Sequence, residues 1–265
     1  MKRQACKRLL TAAVLCAALT VPAKAARRSV PVQIDGNPIA VSAYVERGVT
    51  YVPLRALLNT MGAWDVWWDE ATGRAAAASD DTHLWADPAA DTVTIDEKTV
   101  RGRVTVENGV TYVPLRLVGE ALGCQVEWDP YLRGATVTSP GAAYDAGELY
   151  WLSRIIYAES GAESMTGQIA VGNVILNRVR SGSFPNTVEG VIFDRKDAVQ
   201  FEPVSNGRVY LPPTSQSVEA AKRALDGENV VGSALYFYAP ALSQGTWINA
   251  NRPYQQTIGC HRFYR

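Results

Sequence analysis

The sequence is short of the residues on which most enzyme chemistries depend. Among its 265 residues there are two histidines, His83 and His261, far apart in the chain, and four cysteines. There is no His-Glu-x-x-His, so zinc hydrolase chemistry lacks its ligands. There is no Gly-x-Ser-x-Gly elbow and no Ser-x-x-Lys, which removes the usual serine hydrolase signatures. No glycine-rich phosphate loop follows a strand. No sign of charge dominates, since Lys+Arg and Asp+Glu each total 26. Beyond the first 25 residues no apolar run is long enough to span a bilayer.

The start of the chain holds the one marked asymmetry. Lys2, Arg3, Lys7 and Arg8 precede an apolar stretch from Leu9 to Val21, and Ala23-Lys24-Ala25 follows. A basic start, an apolar core and a small-x-small site make a secretory signal peptide over residues 1–25, cleaved after Ala25. Leu15 before Cys16 is too large for lipoprotein processing. With Lys24, five basic residues leave with this segment, so 21 basic face 26 acidic residues in the remainder. A mildly acidic chain argues against a nucleic-acid partner, which would need a basic face. Cys6 and Cys16 also leave. Cys124 and Cys260 then read as two independent small apolar residues. Adjacent strand residues point to opposite faces, so Cys260 and His261 are poorly placed as a catalytic pair.

The first half is a duplication. Gly48-Val49-Thr50-Tyr51-Val52-Pro53-Leu54-Arg55 recurs as Gly109-Val110-Thr111-Tyr112-Val113-Pro114-Leu115-Arg116. Trp68-Asp69 recurs as Trp128-Asp129 after a one-residue slip. In each unit two β-rich segments flank a turn, Arg47-Gly48 or Asn108-Gly109, which predicts a hairpin with a type I′ turn. Pro53 or Pro114 then opens a short helix, Gly62 or Gly123 ends it as a left-handed cap, and a strand with the Trp-Asp pair follows. One such unit cannot bury its apolar face alone. Residues 29–139 are therefore expected to form one α+β domain from two packed copies.

Residues 140–147 begin with Pro140 and Gly141 and are expected to be a linker. The second domain is placed at 148–265. Asp145 with Glu148 forms a capping box, and Leu149, Leu152, Ile155 and Ile156 mark an amphipathic helix ending at Ser160-Gly161. Further helices are expected at about 166–180 and from Ser215 or Ser217 to Leu225, then strands at 234–238 and 261–264. Helices followed by strands make this domain α+β as well.

Acid chemistry remains after the exclusions. Glu159 and Glu163 lie four residues apart at the end of the first of these helices. A glutamate at such an edge, half-buried against aromatics such as Trp151 and Tyr157, would keep its proton at neutral pH and could donate it to a glycosidic oxygen. From the residues alone, two solvated surface acids are the reading that base rates favour. Glu163, Asp194 and Asp197 are the candidates for a second carboxylate. Phe201, Tyr236, Tyr238 and Trp247 are candidate sugar platforms, and Gln168, Asn177 and Gln200 candidate polar contacts. For each aromatic a core position is an equal alternative. Arg178 would hold a loop or a carboxylate near Glu159, or serve as a surface charge.

Two resemblances narrow these alternatives. The paired Val-Thr-Tyr-Val-Pro-Leu-Arg blocks with their Trp-Asp ends resemble the copper amine oxidase N-terminal-like domain. That resemblance implies a stalk or wall-binding module. His83 alone makes no copper site. Arg55 and Arg116 would contact wall carboxylates or serve as ion pairs at a helix start. Residues 149–265 resemble the SleB-type cell-wall hydrolases, through Leu152-Ser153-Arg154-Ile155-Ile156-Tyr157-Ala158-Glu159-Ser160-Gly161-Ala162-Glu163, Gly167-Gln168-Ile169-Ala170-Val171, Leu176-Asn177-Arg178-Val179, Ala234-Leu235-Tyr236-Phe237-Tyr238 and Gly259-Cys260-His261-Arg262-Phe263-Tyr264. Ala162 and Cys260 depart from the pattern expected there.

The second resemblance implies a secreted, wall- or spore-associated lytic transglycosylase acting on peptidoglycan. Glu159 would be its catalytic acid, and no metal or cofactor would be needed. A hydrolytic muramidase or glucosaminidase using a second carboxylate, and a wall-binding protein without activity, are the alternatives.

Overall fold

A computed structural model of the chain describes residues 27–39, 42–196 and 199–265. The expected signal segment and Asp197 lie outside the described residues.

The first part of the chain is β-rich. Strands β1 (Arg28–Val30), β2 (Val32–Ile34), β3 (Asn37–Pro38), β4 (Ala43–Glu46) and β5 (Val49–Pro53) lead into α1 (Leu54–Met61). Strands β6 (Asp65–Asp69), β7 (Arg74–Ala78), β8 (His83–Asp87), β9 (Thr92–Ile95) and β10 (Lys98–Arg101) form a five-stranded meander. The second copy follows as β11 (Thr105–Glu107), β12 (Val110–Pro114), α2 (Leu115–Ala121), β13 (Gln125–Asp129) and β14 (Gly134–Thr138). Both predicted turns carry positive φ at both residues, Arg47 (51°) with Gly48 (80°) and Asn108 (50°) with Gly109 (76°). These values match the right-handed twist of the flanking strands.

The two copies meet at β5 and β12, which pair antiparallel with Tyr51 opposite Pro114, Val52 opposite Val113 and Pro53 opposite Tyr112. The equivalent valines Val52 and Val113 therefore face one another, and the pairing is symmetric about a local two-fold between them. Both valines are fully buried, with Leu54, Leu57, Leu58, Leu115 and Val118 from the two helices in the same core. The copies differ in how their last hairpin is extended. The β6–β7 pair continues into β8–β10, whereas the β13–β14 pair takes β2 in parallel and then β3. They also differ at the helix end: Gly123 is a left-handed cap as expected, but Gly62 has φ 162°, an extended conformation.

The second part is helical with a small sheet. Its elements are α3 (Ala146–Ser160), α4 (Met165–Arg180), α5 (Val188–Ile192), α6 (Glu202–Asn206), a 3-10 turn at Arg208–Tyr210, α7 (Ser215–Leu225), β15 (Tyr236–Tyr238), α8 (Thr246–Asn251), β16 (Tyr254–Ile258) and β17 (His261–Tyr264). Asp145 caps α3 by accepting from the Glu148 amide at 2.9 Å, as the capping box predicts. Helix α3 packs against α4, α5 and α7, and it is buried nearly all round because it lies in the middle of that group. Trp151, Leu152, Ile155 and Ile156 are fully buried. The sheet order is β15-β17-β16. No helix of the described residues is long and apolar enough to cross a membrane.

The stretch expected as a linker is short and bonded. Helix α3 already begins at Ala146, whose amide donates to Thr138 Oγ1 at 3.0 Å. The Ser139 amide donates to Asp35 at 2.8 Å. Asp129, the acid of the second Trp-Asp pair, accepts the Tyr131 and Leu132 amides on one oxygen and the Trp151 indole N–H on the other at 2.5 Å. Tyr131 stacks on Phe193 with ring centroids 4.0 Å apart. These contacts join the two parts directly.

Candidate active site

The last turn of α3 and the loop after it form the wall of a cleft of about 430 Å³, lined by residues 157–163 with Arg208 opposite. Glu159 sits in this wall, half-buried. Among the described residues, no hydrogen bond reaches its carboxyl. Burial, helped by the nearby Glu202 carboxylate and opposed by Arg208, lifts its pKa from an ordinary 4.5 to about 7. A carboxyl so desolvated holds its proton near neutrality. Tyr157 lines the cleft as expected. Trp151 does not: it lies two turns back, edge-on to Tyr150 and Phe193 in the core, and its N–H is committed to Asp129.

Glu163 shares the cleft but is bound. Its carboxylate accepts the Cys260 amide at 3.1 Å and lies 3.9 Å from His261 Nδ1. The β16–β17 turn closes down on it because residue 259 is glycine. Gly259 has φ +56°, and a Cβ there would come within 1.9 Å of a Glu163 oxygen. His261 is buried, and burial holds its imidazole below the ordinary value against the pull of Glu163. Cys260 is exposed and Cys124 buried, both as free thiols.

Several of the expected substrate contacts turn out to be scaffold. Gln168 is fully buried; its amide donates to the Glu163 and Gly161 carbonyls at 3.1 and 3.4 Å, and its oxygen accepts from Ser217. With Gln216, which also donates to the Glu163 carbonyl, it fixes the loop that carries Glu163. Asn177 is spent on the Gly232 and Ala234 carbonyls. Phe201 is in the core against Phe237, so its ring offers no face to a sugar. Tyr238 is buried, stacked on Tyr264 and hydrogen-bonded to Asn249.

Gln200, Tyr236 and Trp247 instead come together in a second cleft of about 700 Å³, with Arg178, Asp194 and Arg252. Trp247 is 56 % exposed. Arg178 holds two loops here, donating to the Leu235 carbonyl at 2.7 Å and to Gln200 at 3.3 Å; burial lowers its pKa to about 10. Asp194 accepts the Lys196 amide and lies in this cleft, not beside Glu159. Phe237 and His261, in edge-to-face contact at 5.3 Å, link this cleft to Glu163. Sequence reasoning missed Glu202 and Arg208. They reach Glu159 through α6 and the turn after it, where Gly207 is left-handed, and no motif marks them.

Among the described residues, no cluster of three or more His, Cys, Asp or Glu is placed to hold a metal ion. His83, the one histidine of the β-rich domain, is exposed and stacked on Trp85. The residues there do not fit a copper site.

Fold and cleft together define a two-part α+β protein: a duplicated β-rich module, and a helical domain with a carboxyl-bearing cleft at the end of its central helix. Residues 162–264 match the Cell Wall Hydrolase family model, starting three residues after Glu159, and residues 33–137 match the Copper amine oxidase N-terminal domain. A spore cortex-lytic enzyme of Bacillus cereus is 38% identical over 134 residues, 51% of this chain and 49% of that protein. The spore cortex-lytic enzyme of Bacillus subtilis is 36% identical, over 47% of this chain and 39% of that one. The chain thus spans about half the length, or less, of these curated relatives. The solved structure of the catalytic domain of the germination-specific lytic transglycosylase SleB from Bacillus anthracis is 39% identical, covering 48% of this chain and 99% of that one, with a TM-score of 0.43. The chain thus carries a region that matches the cell wall hydrolase family model, with a copper amine oxidase N-terminal-like region ahead of it.

Proposed function

We propose that this protein is an exported enzyme that degrades peptidoglycan by cutting the β-1,4 bond between N-acetylmuramic acid and N-acetylglucosamine, as a lytic transglycosylase with Glu159 as its catalytic acid. Residues 1–25 are the signal peptide, 29–139 the wall-binding module, 140–147 the connection and 148–265 the catalytic domain. The mature protein works in the cell wall or spore, without a cofactor. The observation that carries this reading is the desolvated Glu159 carboxyl, open to a cleft and with a pKa near the pH at which it must act.

The chemistry needs one such group. Protonated Glu159 gives its proton to the bridging oxygen as the C1–O bond breaks, and positive charge builds on the muramyl ring. The carboxylate left behind takes the proton of the muramyl 6-hydroxyl as that oxygen closes on C1. The product is a 1,6-anhydro sugar, and Glu159 is reprotonated. Arg208 steadies the carboxylate between the two transfers. The hydrolytic alternative needs a second free carboxylate to activate water. Glu163 is held by the Cys260 amide under the β16–β17 turn and Asp194 is in the other cleft, which favours the single-acid route. Gln200, Tyr236 and Trp247 are the remaining sugar contacts, and Glu163 is a positioning residue.

Mass spectrometry of sacculi digested with the wild type and with Glu159→Gln tests the proposal. Anhydro ends from the wild type and none from the variant are expected. New reducing ends would mean hydrolysis, undiminished cleavage by the variant would remove Glu159 from its role, and binding without released fragments would mean a wall-binding protein.

A further inference from the structure

The duplication builds two equivalent clefts in the N-terminal domain. One, of about 510 Å³, is walled by Leu54, Arg55, Val66 and Trp68 of the first unit and by Val110 and Thr111 of the second. The other, of about 560 Å³, is walled by Leu115, Arg116, Val126 and Trp128 of the second unit and by Val49 and Thr50 of the first. Each of these six residues of one cleft is the repeat counterpart of one of the six in the other. The half-turn between Val52 and Val113 exchanges them, and each cleft needs both units to exist.

Both clefts present an indole to solvent: Trp68 is 38 % and Trp128 42 % exposed. A large aromatic ring left out of water contact by neither unit, at the same place twice, is a binding surface in form rather than a core residue out of place. Beside each indole stands a guanidinium at the helix start. Arg55 is fixed by donating to the Val66 carbonyl at 2.7 Å, and Arg116 pairs with Glu120 at 3.2 Å in an exposed contact that a ligand carboxylate can replace. An apolar floor, one ring and one guanidinium donor suit the flat C–H face and equatorial polar groups of a pyranose. The clefts are alike but not identical. Trp67 adds a second ring to the first, where the second has Glu127.

We propose that the N-terminal domain is a two-site glycan-binding module, each cleft taking one short segment of an N-acetylated amino-sugar polymer. The identity of the polymer rests on the function proposed above; the existence of two equivalent sites does not. Two weak sites on one rigid domain act together on a polymer or a wall network, where the second binding event is effectively intramolecular. On a short oligosaccharide they act separately. The module thereby holds the catalytic domain, fixed to it through Asp129 and Trp151, against an insoluble substrate.

The test uses the full chain carrying Glu159→Gln, so that the substrate survives, and measures binding to purified sacculi and to the N-acetylglucosamine tetramer. Trp68→Ala and Trp128→Ala should each weaken sacculus binding about 10- to 100-fold and each remove one tetramer site. The double variant should retain only what the catalytic domain binds. Trp68→Phe and Trp128→Phe, which keep a ring, should restore most of the binding. In the Glu159 background the double variant should cut soluble glycan fragments at the wild-type rate and sacculi at least 10-fold more slowly. Hydrogen exchange on the unsubstituted protein gives a reading that does not depend on how the alanine variants fold: the tetramer should protect residues 66–69 and 126–129 alike. Sacculus binding unchanged in the double variant, protection at one cleft alone or at neither, or a dimer that the double variant breaks would each overturn the proposal. Loss of activity in Glu159→Gln is read separately, so the catalytic reading and the two-site reading fail independently.

Discussion

Replacing Glu159 with glutamine should abolish cleavage and at the same time make the protein more stable at alkaline pH. The side chains are nearly the same size, so packing is kept while the titrating group is lost. Burial lifts the Glu159 pKa from 4.5 to about 7, so the native state binds this proton more tightly than the unfolded chain does. The stability that the proton supplies is complete below about pH 4.5 and is lost as pH rises through about 7. At about 1.4 kcal/mol per pH unit the full loss is about 3 kcal/mol. Water at the mouth of the cleft screens part of it, which leaves about 2 kcal/mol. Thermal unfolding of both proteins at pH 4.5 and pH 8.5 measures this. The melting temperatures should agree at the lower pH, and the variant should melt several degrees higher at the upper one. The wild-type kcat/KM on soluble glycan should fall tenfold per pH unit above about 7, as the acid form disappears. If the wild type and the variant show the same pH dependence of stability, the carboxyl is hydrated in the native state and cannot be the acid.

Three other substitutions probe the support around it. Gly259→Ala places a methyl on Glu163 in a left-handed backbone and should cost about 3 kcal/mol by chemical denaturation, with a matching fall in kcat; a neutral result would show that the β16–β17 turn does not clamp the loop. Gln168→Ala strips the Gly161–Glu163 loop of its internal donor and leaves the Ser217 hydroxyl without its buried acceptor, for about 2 kcal/mol and a several-fold lower kcat at unchanged KM; an altered KM alone would make Gln168 a substrate contact after all. Trp151→Phe leaves Asp129 buried without its indole donor and should cost about 2 kcal/mol, with the two parts of the chain unfolding in separate calorimetric steps; one unchanged transition would show that the junction does not depend on this bond.

Local rules fixed much of this protein. The turn dipeptides at 47–48 and 108–109, the helix starts after Pro53 and Pro114 and the Asp145 cap were all legible because each is decided within a few residues by positive φ, ring closure or a side chain meeting its own backbone. The repeat gave the domain its plan, and the elimination of histidine, cysteine and serine chemistries left acids as the one remaining catalytic class. What the sequence could not decide was where polar side chains spend their hydrogen bonds. Gln168, Asn177 and Phe201 looked like substrate contacts by residue type, yet Gln168 is consumed by the Gly161 and Glu163 carbonyls and the distant Ser217 hydroxyl, Asn177 by the Gly232 and Ala234 carbonyls, and Phe201 by the core around Phe237. The protonation of Glu159 was likewise a tertiary matter, set by burial and by Glu202 and Arg208, which a short helix and a glycine turn bring from some forty residues downstream. Desolvation is a property of everything packed around an atom, and no local pattern records it. The twin clefts show both limits at once: the duplicated residues were plain in the sequence, but only the pairing of β5 with β12 revealed that each cleft borrows one wall from the other copy.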